Sequence, residues 1–307
     1  MTSNNFLITI VGPTAIGKTA LSIQLAKHFK SAIISCDSRQ FYKEMTVGTA
    51  VPEAEELAAA KHHFIQNRSI FDTYNVGSFE RDALSKLDEL FKENPIQIMV
   101  GGSGLYVDAV LKGLDYFPEV TPGIRQELAE KLEKEGIKVL QNQLKELDIE
   151  TYNTLAIDNP HRLMRALEVC ISSGKPYSTF KNKPKQPRNF TSIKVGLNAD
   201  REIIYARINK RVDIMIENGL LKEAKELYKH KNLNALQTVG YRELFSYFDE
   251  DFTKEFAISE IKKNTRRFAK RQLTWFKKDE NTLWFNYLTD IHTIITKVSD
   301  KINITQR

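Results

Sequence analysis

The sequence has few of the features that would place a protein outside the cytosol. It contains two cysteines, Cys36 and Cys170, which are too few for a disulfide framework or a four-cysteine zinc site. No apolar run is long enough to cross a bilayer, and residues 1–5 contain no basic segment of the kind that begins a secretion signal. We therefore expect a cytoplasmic protein that does not contact a membrane.

Charge is only weakly unbalanced over the whole chain. There are 45 Lys and Arg residues against 39 Asp and Glu residues, a formal net charge of +6. The distribution is more informative, because eight basic residues and no acidic one lie between Glu260 and Asp279. A one-signed run without acidic i,i+4 partners repels itself on a helix. A nucleic acid partner therefore explains the run better than a solvated helix face does.

The clearest motif lies near the start of the chain, between a strand-like segment at 7–11 and a helical period. It matches the phosphate-loop pattern G-x-x-x-x-G-K-[ST]. Its glycines let successive N–H groups turn toward an anion at a helix N-terminus. Lys18 supplies a cation, and the hydroxyl of Thr19 can hold Mg²⁺. The predicted binding residues for a diphosphate or nucleoside triphosphate are Gly12, Pro13, Thr14, Ala15, Ile16, Gly17, Lys18 and Thr19.

Two later strand ends carry further polar or glycine-rich residues. A buried strand at 32–36 runs into Asp37-Ser38-Arg39-Gln40. Because strand ends beside a phosphate loop line the ligand crevice, Asp37 is predicted to be functional, with a plain polar turn as the alternative. The strand at 96–100 ends in glycines, at the position where a P-loop ATPase or GTPase would carry a metal-binding aspartate. These glycines either let a flat ligand or second phosphate approach the backbone or form an ordinary turn.

The order of elements predicts an α/β, P-loop NTPase-like fold: a doubly wound parallel sheet with an inserted helical subdomain and a helical C-terminal region. The segment 121–149 is predicted to be helical and highly charged, and a strand returns at 192–197 after a basic, proline-containing linker. One long helix is predicted from Asp200 to about His230. The expected divisions are 1–117 for the first part of the core, 118–189 for the insertion, and 190–307 for core completion and basic C-terminal helices.

Motifs in one order run along most of the chain. They include residues 12–19, Asp37-Ser38-Arg39-Gln40, Gly101-Gly102-Ser103-Gly104-Leu105-Tyr106, Asn159-Pro160-His161-Arg162, Val239-Gly240-Tyr241-Arg242 and residues 269–275. Together they resemble the bacterial type of tRNA dimethylallyltransferase, also called tRNA isopentenyltransferase. The resemblance implies transfer of a dimethylallyl group from dimethylallyl diphosphate to the exocyclic amine of the adenine 3′-adjacent to the anticodon, in tRNAs that read codons beginning with U.

The resemblance also implies roles for particular residues. Asp37 and Ser103 are expected to be catalytic, although the family usually has Thr at the position of Ser103. Arg207 and Arg211 are expected to join the phosphate loop in holding the diphosphate. The helical insertion is expected to close over the RNA. The predicted tRNA-binding residues are Asp37, Ser38, Arg39, Gln40, Ser103, Arg125, His161, Arg162, Leu163, Met164, Arg165, Gln237, Thr238, Val239, Gly240, Tyr241, Arg242, Lys270 and Arg271.

The expected partners follow from the same resemblance: the anticodon arm of tRNA and dimethylallyl diphosphate, with Mg²⁺ as cofactor. The protein is expected to be a monomer. The family's loop is described as ATP-binding, yet the reaction needs no nucleotide hydrolysis. Two other classes stay open. A P-loop small-molecule kinase would turn over nucleotide, whereas an adenylate isopentenyltransferase acting on free nucleotides would need no surface for an anticodon arm.

Overall fold

Apolar strands build the central sheet in the computed structural model, which describes residues 4–306. The strands are β1 (Phe6–Val11), β2 (Ile33–Ser35), β3 (His62–His63), β4 (Ile96–Val100), β5 (Thr191–Asn198) and β6 (Leu283–Asn286). They lie in the order β3-β2-β4-β1-β5-β6, and every neighbouring pair is parallel. Strands β2, β3 and β4 lie on one side of β1, and strands β5 and β6 lie on the other. The predicted doubly wound fold is confirmed.

The described residues form thirteen α-helices. They are α1 (Lys18–Phe29), α2 (Ala54–Ala59), α3 (Val76–Leu90), α4 (Gly104–Lys112), α5 (Ile124–Glu135), α6 (Ile137–Leu147), α7 (Ile149–Thr154), α8 (Pro160–Ser173), α9 (Arg201–Glu217), α10 (Leu220–Leu227), α11 (Tyr241–Phe248), α12 (Lys254–Phe276) and α13 (Ile291–Gln306). Helices α1, α9 and α13 pack on one face, and α3 and α4 pack on the other. Within the described residues, no helix is both long and apolar enough to span a membrane.

Strand β1 shows why its sequence is a continuous apolar run. Phe6, Ile8 and Ile10 point into the core on one face of the sheet, while Leu7 and Val11 point into the core on the other. Successive side chains of a strand alternate between faces, and a parallel sheet is buried on both. All six residues of β1 are therefore buried, and their carboxyl end delivers the phosphate loop to the sheet edge.

The chain divides into two compact units, one of which is Gly113–Pro187. This second unit contains α5 to α8 around a core that includes Leu128, Leu140 and Leu167. The segment 121–149, predicted to be helical, forms α5, α6 and the start of α7. Gly136 adopts a φ of 79° between α5 and α6, and the Asp148 side chain accepts a hydrogen bond from the Thr151 N–H at the start of α7. These two residues therefore set the breaks between the three helices.

Two further elements of the first unit differ from prediction. The long helix expected over 200–230 is divided into α9 and α10, because Gly219 adopts a left-handed φ of 96° between them. Strand β6 had no counterpart in the prediction, whereas α13 lies within the predicted helical C-terminal region. Strand β6 is four residues long and pairs with β5, and a Cβ at Gly196 of β5 would lie 2.5 Å from the Trp284 ring of β6.

Candidate active site

The phosphate loop connects β1 to α1 at the carboxyl edge of the sheet. Its backbone has positive φ at Gly12 (147°), Ala15 (63°) and Gly17 (112°), conformations that let N–H groups converge on an anion. A Cβ at Gly12 would lie 2.6 Å from the Leu197 carbonyl oxygen, whereas one at Gly17 would meet no atom of the described chain within 4 Å. Glycine is thus required at Gly17 by backbone conformation, and at Gly12 by packing as well.

Three cationic side chains reach this loop. Lys18 Nζ donates to the Pro13 carbonyl oxygen at 2.8 Å, and Arg207 Nε donates to the Ala15 carbonyl oxygen at 2.7 Å. Arg211 Nη1 donates to Thr14 Oγ1 at 3.2 Å. Both arginines lie on α9, one turn apart, so the structure brings them to the loop. Their binding of diphosphate stays a prediction.

Burial perturbs the cations of this loop. It lowers the pKa of the Lys18 ammonium to about 8, although the nearby Asp37 carboxylate opposes the shift. Burial also lowers the pKa of the Arg211 guanidinium, again opposed by Asp37. A buried cation that lacks a full counter-charge favours the arrival of an anion. The site is therefore electrostatically prepared for phosphate groups.

Asp37 and Ser103 lie at the ends of the neighbouring strands β2 and β4. The Ser103 Oγ accepts a hydrogen bond from the Ser38 N–H at 3.1 Å and lies 3.1 Å from the Ser38 Oγ. The Asp37 Oδ1 accepts from the Arg39 N–H at 3.1 Å. These bonds tie the two strand ends together and fix the direction of both side chains. The two residues predicted to be catalytic are thus adjacent.

One cavity in the first unit, with a volume of about 550 Å³, joins these groups; we call it the active-site cavity. Thr14, Asp37, Ser103 and Arg211 line its polar side. Its apolar side is formed by Ile208, Val212, Met215 and Leu220. A cavity of this size, largely apolar with a few converging polar groups, has the character of a small-molecule site.

The glycine-rich turn after β4 is explained by packing. A Cβ at Gly102 would lie 2.1 Å from Gln272 Nε2, and one at Gly104 would lie 2.5 Å from the Trp275 ring. A Cβ at Gly101 would lie 2.6 Å from the sulfur of Cys36. Side chains of this chain therefore occupy the space beside all three glycines. Packing therefore requires glycine at these positions, as an ordinary turn can. Gly102 and Gly104 also line the active-site cavity, so the approach of a flat ligand or second phosphate to this turn stays a prediction.

Comparison with known proteins adds to this geometry. The sequence model of the family described as IPP transferase matches residues 40–279, more than half of the chain. The chain belongs to the IPP transferase family. A tRNA dimethylallyltransferase of Flavobacterium johnsoniae is 64% identical over 303 residues, covering 97% of this chain and 98% of the relative.

Solved structures of other IPP transferases agree. The full-length tRNA isopentenylpyrophosphate transferase of Bacillus halodurans is 34% identical with a TM-score of 0.74, and the match covers 98% of each chain. A eukaryotic dimethylallyltransferase acting on tRNA is 26% identical with a TM-score of 0.80, covering 97% of this chain and 77% of the other. The family resemblance inferred from the motifs is confirmed.

Helix α12 of this IPP transferase contributes a wall of the active-site cavity that sequence reasoning missed. The lining side chains are Ile261, Thr265, Phe268, Gln272 and Trp275. Their spacing of four, three, four and three residues places them along one face of the helix. That period was readable in the sequence, but it lies within the basic run and was not interpreted as a cavity wall.

A second group that sequence reasoning missed is the carboxylate of Glu223 on α10. Its oxygens accept from the N–H groups of Thr46, Val47 and Gly48 at 2.9, 2.8 and 2.9 Å, and from the Tyr241 hydroxyl at 2.7 Å. Gly48 lines the active-site cavity, so Glu223 holds part of its rim. No local pattern could reveal this, because about 175 residues separate the partners.

Several predicted tRNA-binding residues of the first unit have partners within the chain. The Gln40 side-chain amide donates to the Thr49 and Ala50 carbonyls at 3.2 and 2.9 Å, and Tyr241 is buried against Gly48. Because Tyr241 is fully buried, its expected RNA contact is corrected to support of the 46–50 segment. Gln40 supports the same segment but is only half-buried, and its RNA contact stays a prediction. Arg39 donates to the carbonyls of residues 234 and 235, while Gln237, Arg242, Lys270 and Arg271 are exposed. Ser38, Thr238, Val239 and Gly240 line the cavity.

Of the predicted RNA-binding residues in the second unit, some lie in its core and others lie at its surface. Leu163 and Met164 lie in its core, so their side chains pack instead of facing a partner. His161 and Arg162 are exposed in the first turn of α8. Arg125 and Arg165 approach the buried carboxylate of Glu168 at 2.9 and 3.4 Å, and Arg165 also lies over the Phe117 ring.

The basic run on α12 is partly neutralised within the chain. Lys262 pairs with Asp213 at 2.5 Å and Lys263 with Glu260 at 2.6 Å, and Arg266 donates to Asn209 Oδ1 at 2.7 Å. The expectation of a run without acidic partners was therefore wrong for its first turn. The exposed cations are those from Arg267 onward: Arg267, Lys270, Arg271, Lys277 and Lys278.

Proposed function

We propose that this protein transfers a dimethylallyl group from dimethylallyl diphosphate to the exocyclic amine of the adenine 3′-adjacent to the anticodon, in tRNAs that read UNN codons. One observation carries the proposal. A single cavity places Thr14 of the phosphate loop, the guanidinium of Arg211, a carboxylate with a neighbouring hydroxyl, and an apolar wall around a space suited to a five-carbon chain. The names of its relatives, tRNA dimethylallyltransferase among them, support the same reaction.

In the proposed reaction the adenine amine attacks the first carbon of the dimethylallyl group. The bond from that carbon to the diphosphate oxygen breaks, and its electron pair leaves with the diphosphate. One proton of the amine passes to the Asp37 carboxylate, whose position is fixed by the Arg39 N–H. Ser103, held by Ser38, orients the amine or the bridging oxygen. The adenine has to leave its stack in the anticodon arm to reach this point.

The leaving diphosphate gathers negative charge, which the phosphate-loop N–H groups, Lys18, Arg207 and Arg211 would stabilise. Mg²⁺ fits the same place through the hydroxyl of Thr19, a hard oxygen ligand that is partly exposed in the first turn of α1. The described residues include no group of three or more His, Cys, Asp or Glu side chains placed to hold a metal ion, so diphosphate and water oxygens would complete its shell. When bound, Mg²⁺ supplies further charge neutralisation.

Exposed residues of each unit are the proposed tRNA contacts. In the first unit these are Gln237, Arg242, Lys270 and Arg271, with Arg39 and Ser38 at the cavity. In Gly113–Pro187, which corresponds to the proposed insertion, they are His161 and Arg162 together with the partly paired Arg125 and Arg165. Phosphate contacts from arginine and lysine supply most of the affinity in such complexes.

The test is a transfer assay with labelled dimethylallyl diphosphate, Mg²⁺ and either unmodified tRNA or AMP. We expect label in the tRNA alone. Label in AMP would favour an enzyme of free nucleotides and contradict the tRNA assignment. We propose that the enzyme acts as a monomer in the cytoplasm, where its RNA substrate is found; light scattering that gave twice the mass of one chain would contradict the monomer.

Asp37 is tested in the same assay. Asp37→Asn should lower the transfer rate by about 100- to 10,000-fold, the range that a general base contributes, while tRNA binding stays near wild type. Asp200→Asn is the matched control, because Asp200 is an exposed aspartate that follows β5 at the same sheet edge. Loss of tRNA binding in Asp37→Asn would make Asp37 a structural residue instead.

A further inference from the structure

We propose that Gln272 is a positioning residue that fixes the phosphate loop in its diphosphate-binding form from helix α12. The proposal rests on the proposed function, since it names a residue that prepares the same diphosphate site. Gln272 has no predicted role in the motif analysis, and it is 5% exposed. A side chain this buried acts through the groups that it contacts within the chain.

The Gln272 amide joins two parts of the chain that are distant in sequence. Its Oε1 accepts from the Thr14 N–H at 2.8 Å, and its Nε2 donates to the Gly102 carbonyl oxygen at 2.9 Å. One end of the amide thus holds the phosphate loop, and the other holds the turn after β4. Both groups belong to segments that reach the sheet edge without regular backbone pairing there, so the side chain supplies their partners.

The bond to Thr14 selects which N–H groups of the loop can face a diphosphate. Because the Thr14 N–H is turned toward α12, the converging donors are those that follow it in the loop. Arg211 holds the side chain of the same residue through Thr14 Oγ1 at 3.2 Å. Thr14 is therefore fixed on its backbone and on its side chain by two helices, α12 and α9. A loop held in this way does not have to reorganise when the anion binds.

The other end of the amide places Gln272 close to the cation of the site. A Cβ at Gly102 would lie 2.1 Å from Gln272 Nε2 and 3.8 Å from Lys18 Nζ. Gly102 therefore lies beside both the amide and the ammonium, so movement of the amide would disturb the turn next to Lys18. The same helix presents Phe268 and Trp275 to the active-site cavity, so the position of α12 and the form of the loop are linked through one side chain.

The test replaces Gln272 with methionine, which has similar length but no hydrogen-bonding amide. The probe is inorganic pyrophosphate with Mg²⁺, titrated calorimetrically without RNA. We expect Gln272→Met to weaken pyrophosphate binding and to raise the KM for dimethylallyl diphosphate by about tenfold, the scale of leaving an N–H and a carbonyl unpaired. The dissociation constant for tRNA should stay unchanged.

Gln97→Met is the matched control. Gln97 is 2% exposed on β4, and its amide likewise accepts from a backbone N–H, that of Ala32, and donates to the carbonyls of Leu90 and Asn94. It lies toward the opposite end of the strand from the turn at Gly102. Both variants should lose thermal stability, but only Gln272→Met should weaken pyrophosphate binding.

A second variant approaches the contact from the other side. Gly102→Ala places a methyl group against Gln272 Nε2. We expect it to weaken pyrophosphate binding as Gln272→Met does. If Gln272→Met fails to fold, this variant tests the role of Gln272 in its place. Native pyrophosphate affinity in a folded variant, or an equal loss of tRNA affinity, would overturn the proposal. If the wild-type protein transfers no prenyl group, the proposed function fails, whereas the pyrophosphate titrations still test Gln272 by themselves.

Discussion

Two glycine-rich turns follow neighbouring strands of the same sheet, and they contain glycine for different reasons. In the phosphate loop after β1, Gly17 has a φ of 112° and open space where a Cβ would be. In the turn after β4, Gly101, Gly102 and Gly104 adopt no positive φ, and Cys36, Gln272 and Trp275 lie where their Cβ atoms would be. Backbone conformation requires glycine at Gly17, whereas packing requires glycine at the three positions of the second turn.

The difference shows what glycine in a sequence can and cannot reveal. A positive φ is a local requirement, and the spacing of residues 12–19 identifies it directly. Close packing is a long-range requirement, since Gln272 is 170 residues from Gly102 in the chain. Three experiments distinguish the roles of the two turns: removal of the Lys18 cation, a change in the packing at Gly104, and a change in the protonation of Lys18.

The largest effect is expected from removing the cation that only the first turn supplies. Lys18→Ala should lower kcat/KM for dimethylallyl diphosphate by about 100- to 1000-fold, because the charge that stabilises the leaving diphosphate is lost. Lys27→Ala is the control, since Lys27 is exposed in the last turn of the same helix. A Lys18→Ala enzyme with native kcat/KM would remove the phosphate loop from the reaction.

An intermediate effect is expected from a double-mutant cycle on the second turn. Gly104→Ala should lower the free energy of unfolding by about 1–3 kcal/mol, because its methyl group overlaps the Trp275 ring. In a Trp275→Ala background most of that cost should disappear. Gly17→Ala should cost about 1–2 kcal/mol through backbone strain in either background. Urea unfolding measures the free energy of unfolding of each variant. If the costs of Gly104→Ala and Gly17→Ala both fell equally in the Trp275→Ala background, the two turns would not differ in the way proposed.

The smallest effect is expected from pH. The Lys18 pKa of about 8 means that the ammonium is charged below pH 8 and neutral above it, and the anion binds to the charged form. Between pH 7 and 9 the affinity for Mg²⁺-pyrophosphate should fall by about tenfold, with proton uptake on binding near pH 8. In Lys18→Ala the ammonium is absent, so any remaining pH dependence of the affinity comes from titration of pyrophosphate itself. The same pH dependence in that variant would assign the effect to pyrophosphate.

Much of the fold was predictable because its signals are local. The apolar run of β1 and the loop at 12–19 are each contained within a few residues, and each appears where predicted. The missed breaks at Gly136 and Gly219 are single residues inside strongly helical stretches, where periodicity outweighs one glycine. Strand β6 is short and only partly buried, so its pattern gave little signal.

The candidate site was predictable to the extent that strand ends indicate it. Asp37 and Ser103 follow adjacent strands and meet in the cavity as parallel-sheet geometry requires. Gln272 and Glu223 were missed because their partners are 258 and about 175 residues away. Gln272 lies within the motif at 269–275, but that motif does not reveal which groups its amide contacts. Gln40 and Tyr241 show the converse, since residues in specific motifs can support the site through buried contacts.

The central claim is that the phosphate loop holds a prenyl diphosphate whose carbon group is transferred to RNA. The most direct measurement supplies dimethylallyl diphosphate labelled in its carbon chain together with ATP labelled in its terminal phosphate, with Mg²⁺ and unmodified tRNA. We predict carbon label in the tRNA and no release or transfer of the ATP phosphate. Transfer of that phosphate to any acceptor, with no carbon label in the RNA, would contradict the account.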